Sequence, residues 1–587
     1  MEQGKAPAGR IRFGAFEADL RAGELRKKGA KLKLQEQPFQ ILRVLLANPG
    51  EVVTREELRA RIWPIDTFVD FDHGLYTAIT KLREALRDSS EKPRFIETLS
   101  RRGYRFIARV ERVPASSNPP TSIAILPFVF LSDVEEPRSL SLGFADALIT
   151  VLGNLPDVAV LPTSAVLNYA GGTDPDGVCR DLGVRYILQG HIQKLGAQWR
   201  VSIQLFDALV QKIVFSEKYD FTTENTFEIQ DEIGRRLVES LQNQFPFNVR
   251  KSRDRYSSNP QAYDEFISGL RESYSDRPES AKSAIEHLSR AVAYDPEFAL
   301  AHATLSYACM NLHFTFDAHR TWLERAEHHG KRALALDPEL PEGHFARAYS
   351  LWSPAKNFQH AEAIEALEKV LTLQPNLERA HNRLGTILLH IGRLKEAHAA
   401  YEQGQRSNPK NLLSQNINFV HLYSGDFARA QEGADAWLQE SPGNKYALWF
   451  RPQPALLTGD LDLADQRLAA AVSQLADEPL VVSLQGLLHA RRHQTDLARQ
   501  CARRALDFPR SFGHTHHTYY QIACVYAMLG ETQKAMAWLE SSADTGFTCW
   551  PFFRLDPHLE SLHQKPEFKR LVAGLEHEFS ALKIERL

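Results

Sequence analysis

Apolar positions recur with two different periods along the first 110 residues, one typical of strands and one typical of helices. Short alternating runs broken by glycines over 10–34 predict small strands. Three- and four-residue spacings follow in QPFQILRVLLANPG, in TREELRARIW and from Asp72 to Arg87, and they predict three helices. Thr54 stands three residues before Glu57, which is the spacing of a capping box at the start of the second helix. A basic turn between two β-rich halves then predicts a hairpin over 95–110.

Residues 122–246 carry a mixed pattern that predicts an α/β domain. Continuous apolar runs in SIAILPF and VAVLPTSAV predict buried strands, and GFADALITVLGNL and DGVCRDLG predict helices. The stretch from YILQGHIQ to FSEKYDF predicts successive antiparallel strands, and EIQDEIGRRLVESLQNQF predicts a closing helix. Proline and serine in VPASSNPPT predict a linker over 111–121 before this domain.

From about residue 260 the pattern becomes helical and repeats itself. Proline ends a helix, and alanine lets two antiparallel helices approach closely. This periodicity predicts an array of about eight helix pairs over 260–545. Capping helices over 546–587 would follow, in which Trp550, Phe552 and Phe553 bury the last repeat. The recurring residues are Ala284, Ala326, Ala363, Ala397, Ala430, Ala464, Ala498 and Ala535, and Pro296, Pro338, Pro375, Pro409 and Pro442.

Charge is divided unevenly between the two ends of this multidomain, mainly α chain. Residues 1–113 carry 23 Lys and Arg against 16 Asp and Glu, a net charge of +7, and the remainder carries −10. A basic head on an acidic body is expected when only the head binds a polyanion. The five cysteines are scattered without a CxxC pair, which argues against disulfides and cysteine zinc sites and is typical of a reducing cytosol.

The sequence predicts no association with a membrane. Its longest apolar run, IAILPFVFL at 123–131, has nine residues and contains a proline, whereas a membrane helix needs about 20. The first residues lack the apolar core of a signal peptide. We therefore expect a cytoplasmic protein.

Residues 10–110 resemble the OmpR/PhoB-type winged helix-turn-helix DNA-binding domain, which has an α+β fold. The matching residues are GEVVTREELRARIW, the helix DHGLYTAITKLREALRD and the closing ETLSRRGYRFIA. The apolar stripe of the third helix would pack inward, and its outer face would enter the major groove of duplex DNA. A turn with Gly103 would allow a tight wing, anchored by Tyr104 and Phe106.

This resemblance implies a DNA-binding surface on the third helix and the wing. The threonines and the lysine of the helix would face base edges. The arginines would contact phosphates, which adds a salt-dependent affinity that is blind to sequence. Double-stranded DNA is the expected partner, and a homodimer on DNA is a second expectation. The implied DNA-binding residues are Tyr76, Thr77, Thr80, Lys81, Arg83, Arg101, Arg102 and Arg105.

The other two domains also resemble known families. The central domain resembles the TolB-like domain through SIAILPF, GFADALITVL and DLGVRYILQGHIQKLGAQWRVSIQLFDA, and its role stays open between spacer, dimerisation element and ligand sensor. The repeats resemble the tetratricopeptide repeat, an α-solenoid whose concave groove would bind a protein or peptide partner. The alternative is that part of the array only packs against its neighbouring domains.

Histidine groups are the main candidates for metal chemistry. His514, His516 and His517 form one group, and His328 and His329 form another. Zinc needs about four ligands in fixed geometry, and no second ligand pair has a suitable spacing. We therefore expect packed or surface histidines, no metal and no cofactor. GxSxG, HExxH and P-loop motifs do not occur in the sequence, so we also expect no catalytic residues.

Together these patterns predict a one-component, sequence-specific transcriptional regulator. About ten residues precede the winged helix, so the receiver domain of two-component relatives is not expected, and the signal would come from the C-terminal side. One alternative is an interaction scaffold whose winged helix contacts protein. Another is an enzyme related to the cyclase-associated members of the TolB-like group, although the sequence contains no recognisable catalytic domain for it.

Overall fold

The chain forms two compact units, Met1–Pro120 and Thr121–Leu587. The structure is a computed structural model, and it describes residues 10–584 except 15, 20–23, 28–29, 33, 48, 63–70, 100–101, 109, 114–120, 132–137, 154–157, 170–173, 197, 223–225, 243–255, 276, 318, 409–414 and 508–512.

The described part of the first unit contains three helices and two antiparallel sheets. One sheet has the strand order β4-β3-β2-β1-β8, and the other has the order β5-β7-β6. The elements are β1 (Arg10–Phe13), β2 (Phe16–Asp19), β3 (Glu24–Lys27), β4 (Ala30–Leu32), α1 (Glu36–Ala47), β5 (Val52–Thr54), α2 (Arg55–Ile62), α3 (Phe71–Leu86), β6 (Ile96–Leu99), β7 (Gly103–Phe106) and β8 (Glu111–Val113).

The predicted strands, helices and hairpin of this unit are present. The capping box is confirmed: the backbone N–H of Thr54 donates to Glu57 Oε2 over 2.9 Å, and the N–H of Glu57 donates to Thr54 Oγ1 over 3.2 Å. The structure differs at the predicted 111–121 linker, because β8 pairs with β1 there. A β-rich triplet beside a linker gives little periodicity, so pairing with a distant strand decides its structure.

The second unit begins with a sheet that has helices on both faces. Its strand order is β11-β9-β12-β13-β14, and β10 pairs with β12. Helices α4 and α7 pack on one face, and α5 and α6 pack on the other. The elements are β9 (Thr121–Ile125), β10 (Val129–Phe130), α4 (Arg138–Gly153), β11 (Val158–Val160), α5 (Thr163–Val166), α6 (Pro175–Leu182), β12 (Tyr186–Leu195), β13 (Gln198–Asp207), β14 (Lys212–Phe221) and α7 (Thr226–Gln242).

The central sheet agrees with the predicted pattern except after β11. VAVLPTSAV was expected to be one strand, but residues 163–166 form the short helix α5. Proline at 162 removes a backbone donor from the strand and suits a helix start. Thr163 then donates to Asp146 Oδ1 of α4 over 2.5 Å, which holds this turn against the neighbouring helix.

Paired antiparallel helices make up most of the remaining chain. Eight pairs are present among the described residues if α18 and α19 are taken as one helix that is interrupted near Pro452. The helices are α8 (Pro260–Glu272), α9 (Pro278–Tyr294), α10 (Ala299–Thr315), α11 (Arg320–Leu336), α12 (Pro341–Leu351), α13 (His360–Leu373), α14 (Glu378–His390), α15 (Leu394–Ser407), α16 (Ile417–Tyr423), α17 (Phe427–Glu440), α18 (Lys445–Phe450), α19 (Gln453–Thr458), α20 (Leu461–Gln474), α21 (Pro479–Arg491), α22 (Thr495–Asp507), α23 (Thr515–Met528), α24 (Thr532–Asp544), α25 (Trp550–Leu555) and α26 (Pro566–Ser580).

The recurring small and helix-ending residues lie where their spacing predicts. All eight alanines of the repeat are at most 1% exposed, so any larger side chain there would push two helices apart. Pro296, Pro338, Pro375 and Pro442 each lie two residues beyond the end of a second helix. Pro409 lies outside the described residues.

The inner helices of the array contact the chain's own C-terminal part. The N–H of Thr548 donates to the carbonyl of His390 at the end of α14. Arg393 donates to the carbonyls of Phe579 and Leu582, and Phe552 stacks on Tyr423 of α16 with ring centroids 4.4 Å apart. The predicted C-terminal cap therefore covers the middle of the array as well as its last repeat.

Candidate DNA interface

Helix α3 has one buried face and one exposed face. The buried stripe consists of Leu75, Ala78, Ile79, Leu82 and Leu86, each at most 4% exposed. These residues recur at spacings of three and four, so they pack against α1 and the sheets while the remaining positions point outward. Packing of this stripe fixes the rotation of the helix about its axis.

The outer face carries three of the predicted contact residues. Tyr76 is 68% exposed, and Thr80 and Lys81 are also exposed. Thr80 Oγ1 donates to the carbonyl of Tyr76 one turn earlier. Lys81 Nζ donates to Gln35 Oε1 over 2.8 Å, at the entrance to α1.

Two further residues of this helix are less accessible. Thr77 is half-buried. Arg83 is also half-buried, and its Nη2 donates to the carbonyl of Ile96 and to Thr98 Oγ1, both over 2.8 Å. Arg83 therefore links α3 to β6, a contact that the sequence pattern does not predict. Its phosphate contact stays a prediction.

Asp88 fixes the hairpin to the end of α3. Its carboxylate accepts the backbone N–H of Arg94 over 2.7 Å and that of Ile96 over 2.8 Å. Arg87 just before it has a φ of 53°, so the chain turns sharply between helix and hairpin. Because β6 starts at Ile96, the hairpin and α3 are held together by this carboxylate and by Arg83.

The hairpin presents its basic residues in different settings. Arg102 is exposed, and its N–H closes the turn by donating to the carbonyl of Leu99 over 3.0 Å. Arg105 is half-buried and lies 3.7 Å from a carboxylate oxygen of Glu97. Arg101 lies outside the described residues.

Gly103 is required by the packing of strand β7 against β5. It has a φ of +151°, and a Cβ added there would lie 2.1 Å from the carbonyl oxygen of Val53. Glycine thus permits a close approach of two backbones, in addition to the turn predicted from the sequence. Tyr104 and Phe106 are buried, as predicted for anchors of the wing.

Comparisons with known families divide the chain in the same order. Residues 29–106 match the family described as Transcriptional regulatory protein, C terminal. Residues 119–236 match the HilA/YgeH-like transcriptional regulator, second domain. Residues 355–415 and 516–544 match tetratricopeptide repeat families. The head is an OmpR/PhoB-type winged helix, and the helical array contains tetratricopeptide repeats.

Three relatives show how far the likeness extends. "Putative adenylate cyclase 3" of Rhizobium meliloti is 29% identical over 320 residues, 52% of each chain. "Transcriptional regulator HilA" of Salmonella typhimurium is 24% identical over 328 residues, 54% of this chain and 57% of that protein. "Cholera toxin homolog transcriptional activator" of Vibrio parahaemolyticus is 37% identical over 108 residues, 18% of this chain and 34% of that protein. The chain spans about half the length of the first two relatives and a third of the last.

None of the helices in the described part of the chain is both long enough and apolar enough to cross a membrane.

Proposed function

We propose that this protein is a transcriptional regulator whose winged head binds specific sites in double-stranded DNA. The observation that carries the proposal is the exposed outer face of α3, with Tyr76, Thr80 and Lys81, on a helix whose other face is fixed in the core. A helix of this kind fits the major groove of B-DNA. The family match of residues 29–106 and two relatives named as transcriptional regulator and transcriptional activator support the proposal.

Different residues have different parts in the proposed complex. The outer residues Tyr76, Thr77, Thr80 and Lys81 would read base edges. Arg102, together with Arg101 and Arg105, would neutralise phosphates beside the groove. The hairpin holds Arg102 and Arg105 in position. The two N–H···O contacts of Arg83 with β6 keep α3 and the wing in one fixed arrangement, and its guanidinium would contact a phosphate from that position.

The proposed DNA binding can be tested without knowing the site in advance. The purified full chain is mixed with sheared DNA of the source organism, and the retained fragments are sequenced. The most enriched fragment then serves in fluorescence anisotropy, with a scrambled duplex of equal composition for comparison. We expect enrichment of a common sequence, and an affinity whose logarithm falls linearly with the logarithm of salt concentration.

Two substitutions separate base reading from phosphate contact. Lys81→Ala should weaken binding to the enriched site by about 1–3 kcal/mol and leave the scrambled duplex nearly unaffected. Arg102→Ala should weaken binding to both duplexes. It should also reduce the slope of log affinity against log salt concentration by about 1. Lys212→Ala is the matched control, because it removes an exposed lysine from β14 of the central domain. Equal affinities for wild type, Lys81→Ala and Arg102→Ala would contradict the proposal.

The same experiment distinguishes the alternative function. A scaffold whose winged helix contacts protein would enrich no DNA sequence, and its protein partners would survive nuclease treatment in a pulldown.

We propose that the repeats bind a protein or peptide partner on surfaces that the C-terminal segment leaves uncovered. We further propose that two copies bind paired sites, which sedimentation with a double-site duplex would detect as two chains per duplex.

The domain limits given by the sequence pattern are part of the proposal: a head over 10–110, a TolB-like central domain over 122–246, the array over 260–545 and the cap over 546–587. β8 would extend the head to Val113.

We propose that the chain is not an enzyme, and that its likeness to a protein named as a putative adenylate cyclase reflects shared regulatory parts. A DNA-binding head works where the DNA is, so we place it in the cytoplasm.

A further inference from the structure

Four histidines from distant parts of the sequence meet inside the array. His390 is the last residue of α14, and His514, His516 and His517 lie at the start of α23. One ring nitrogen from each of the four lies within 4.8 Å of the others. Only the last three lie close together in the sequence, and their spacing predicts no metal site. His390 gives no signal in the sequence, because only the fold places it beside them.

Hydrogen bonds orient two of these rings toward the centre of the cluster. His390 Nδ1 lies 2.7 Å from the carbonyl oxygen of Thr386, and His516 Nδ1 lies 2.7 Å from that of Thr545. A carbonyl only accepts, so both Nδ1 atoms carry the proton and both Nε2 atoms carry a lone pair. His390 Nε2 is buried and has no hydrogen-bond partner. Histidines that bind a metal usually donate their second ring N–H in this way.

The spacing of the nitrogens is close to that of a tetrahedral zinc site. Zinc–nitrogen bonds of about 2.0–2.1 Å in a tetrahedron place the nitrogens roughly 3.3–3.4 Å apart. His514 Nδ1 and His516 Nε2 are 3.4 Å apart. Since His516 Nε2 is the acceptor of this contact, an ion between the two atoms requires the proton on His514 Nδ1 to move to Nε2 of the same ring. The other nitrogens need to move inward by an ångström or so, which side-chain torsions can provide.

The cluster lies in a buried, aromatic part of the array. His390, His516 and His517 are buried, and the ring of Phe547 lies against all three, with its centroid 5.8, 6.3 and 4.7 Å from theirs. Arg383 and Lys445 also act on His514 and disfavour any cation. Arg383 lies over the ring of Tyr349 at 3.9 Å from its centroid, where the ring face attracts its charge.

We propose that His390, His514, His516 and His517 bind one Zn²⁺ ion, which connects α14 to α23. Imidazole ligands suit zinc and other late first-row ions, whereas Mg²⁺ and Ca²⁺ require oxygen ligands. His514 is half-buried, whereas the other three histidines are buried. With the two nearby cations and no thiolate ligand, the site should hold zinc less tightly than a cysteine site does.

The test uses the full chain after removal of metals with a chelator. Zn²⁺ binding is measured by isothermal titration calorimetry for the wild type, His390→Phe, His516→Phe and the control His302→Phe. Phenylalanine keeps a ring in a cluster that already contains Phe547. His302 is a fair control because, among the residues that the structure describes, its Nδ1 contacts one other histidine ring, that of His329, at 2.8 Å.

We expect one strong Zn²⁺ site in the wild type and in the control, and affinity lower by on the order of 100-fold in both cluster variants. Equal binding by all four proteins, or no strong site in the wild type, overturns the proposal. Should a variant fail to fold, the wild type alone decides through X-ray absorption. Four nitrogen neighbours at about 2.0–2.1 Å support the site, whereas sulfur neighbours or six oxygens overturn it. Mg²⁺ should give no heat of binding, and competition by Mg²⁺ would also count against it.

Discussion

Replacement of Gly103 by alanine should separate strand β7 of the wing from strand β5. The added Cβ would lie 2.1 Å from the carbonyl oxygen of Val53 and 2.9 Å from the Cα of Thr54. Both neighbours are backbone atoms of β5, so β5 and β7 must separate by about 1 Å for ordinary contact. The pairing of Val53 with Tyr104 and of Thr54 with Gly103 would then be lost.

The size of the effect follows from two contributions. Loss of two backbone hydrogen bonds costs about 1–3 kcal/mol, and a positive φ in a residue with a side chain costs roughly 1–2 kcal/mol. The sum of about 2–5 kcal/mol would raise the population of the locally opened state at least about 30-fold over that in the wild type. Hydrogen exchange of β5 and β7 amides, followed by mass spectrometry of the full chain, measures this directly.

Gly50→Ala is the matched control in the same head. Gly50 has a φ of +84°, but a Cβ there would meet nothing within 4 Å. The Gly50→Ala variant should therefore show only the cost of the positive φ, which corresponds to a roughly tenfold increase in the rate of amide hydrogen exchange. If Gly103→Ala accelerates exchange of β5 and β7 no more than Gly50→Ala does, the close approach of the two strands is not what requires glycine at 103.

Three further changes test other parts of the structure. Thr54→Ala removes the capping box with Glu57 and should destabilise α2 by about 1 kcal/mol, seen as faster exchange at the start of that helix and not in α1. Ala397→Met overpacks a fully buried contact and should lower stability by about 1–3 kcal/mol in thermal unfolding, and an unchanged melting temperature would contradict the packing described. Burial raises the pKa of Asp207, but hydrogen bonds from Arg185 and from the N–H of Leu209 outweigh it and leave that pKa below its usual value. Since the folded pKa is depressed, Asp207→Asn should cost about 2 kcal/mol at pH 7. The difference from wild type should begin to shrink as the pH falls below about 4 and disappear only below the depressed pKa of the folded protein, as measured by urea unfolding over a series of pH values.

Local pattern was sufficient to predict much of the fold. The stripe of α3, the capping box and the repeat alanines all depend on neighbours three, four or about 34 residues away, so the sequence displays them directly. The short strand β8 was not predicted, because its structure depends on pairing with β1 at the other end of the unit. Helix α5 was predicted as a strand for a similar reason, since Asp146 of α4 holds it in place.

The candidate DNA site was only partly accessible from sequence. The outward direction of Tyr76, Thr80 and Lys81 follows from helical spacing and agrees with the structure. The contacts of Arg83 with β6 were missed, because a guanidinium on a helix shows no sign in sequence of whether it points to solvent or to a strand. His390 was missed for the same reason, since its neighbours come from a helix far along the chain.

The bond between Thr548 and His390 changes how the helical array should unfold. Linear repeat proteins fray from their ends, because each repeat touches only its neighbours and stability adds up step by step. Here Arg393 in the middle also holds Phe579 and Leu582 near the C-terminus, so end and middle should melt in one transition. These contacts also restrict the number of repeats that the array can have. A repeat inserted between Arg393 and Phe579 would increase the distance between them, and the hydrogen bonds that hold the C-terminal segment to Arg393 would be lost.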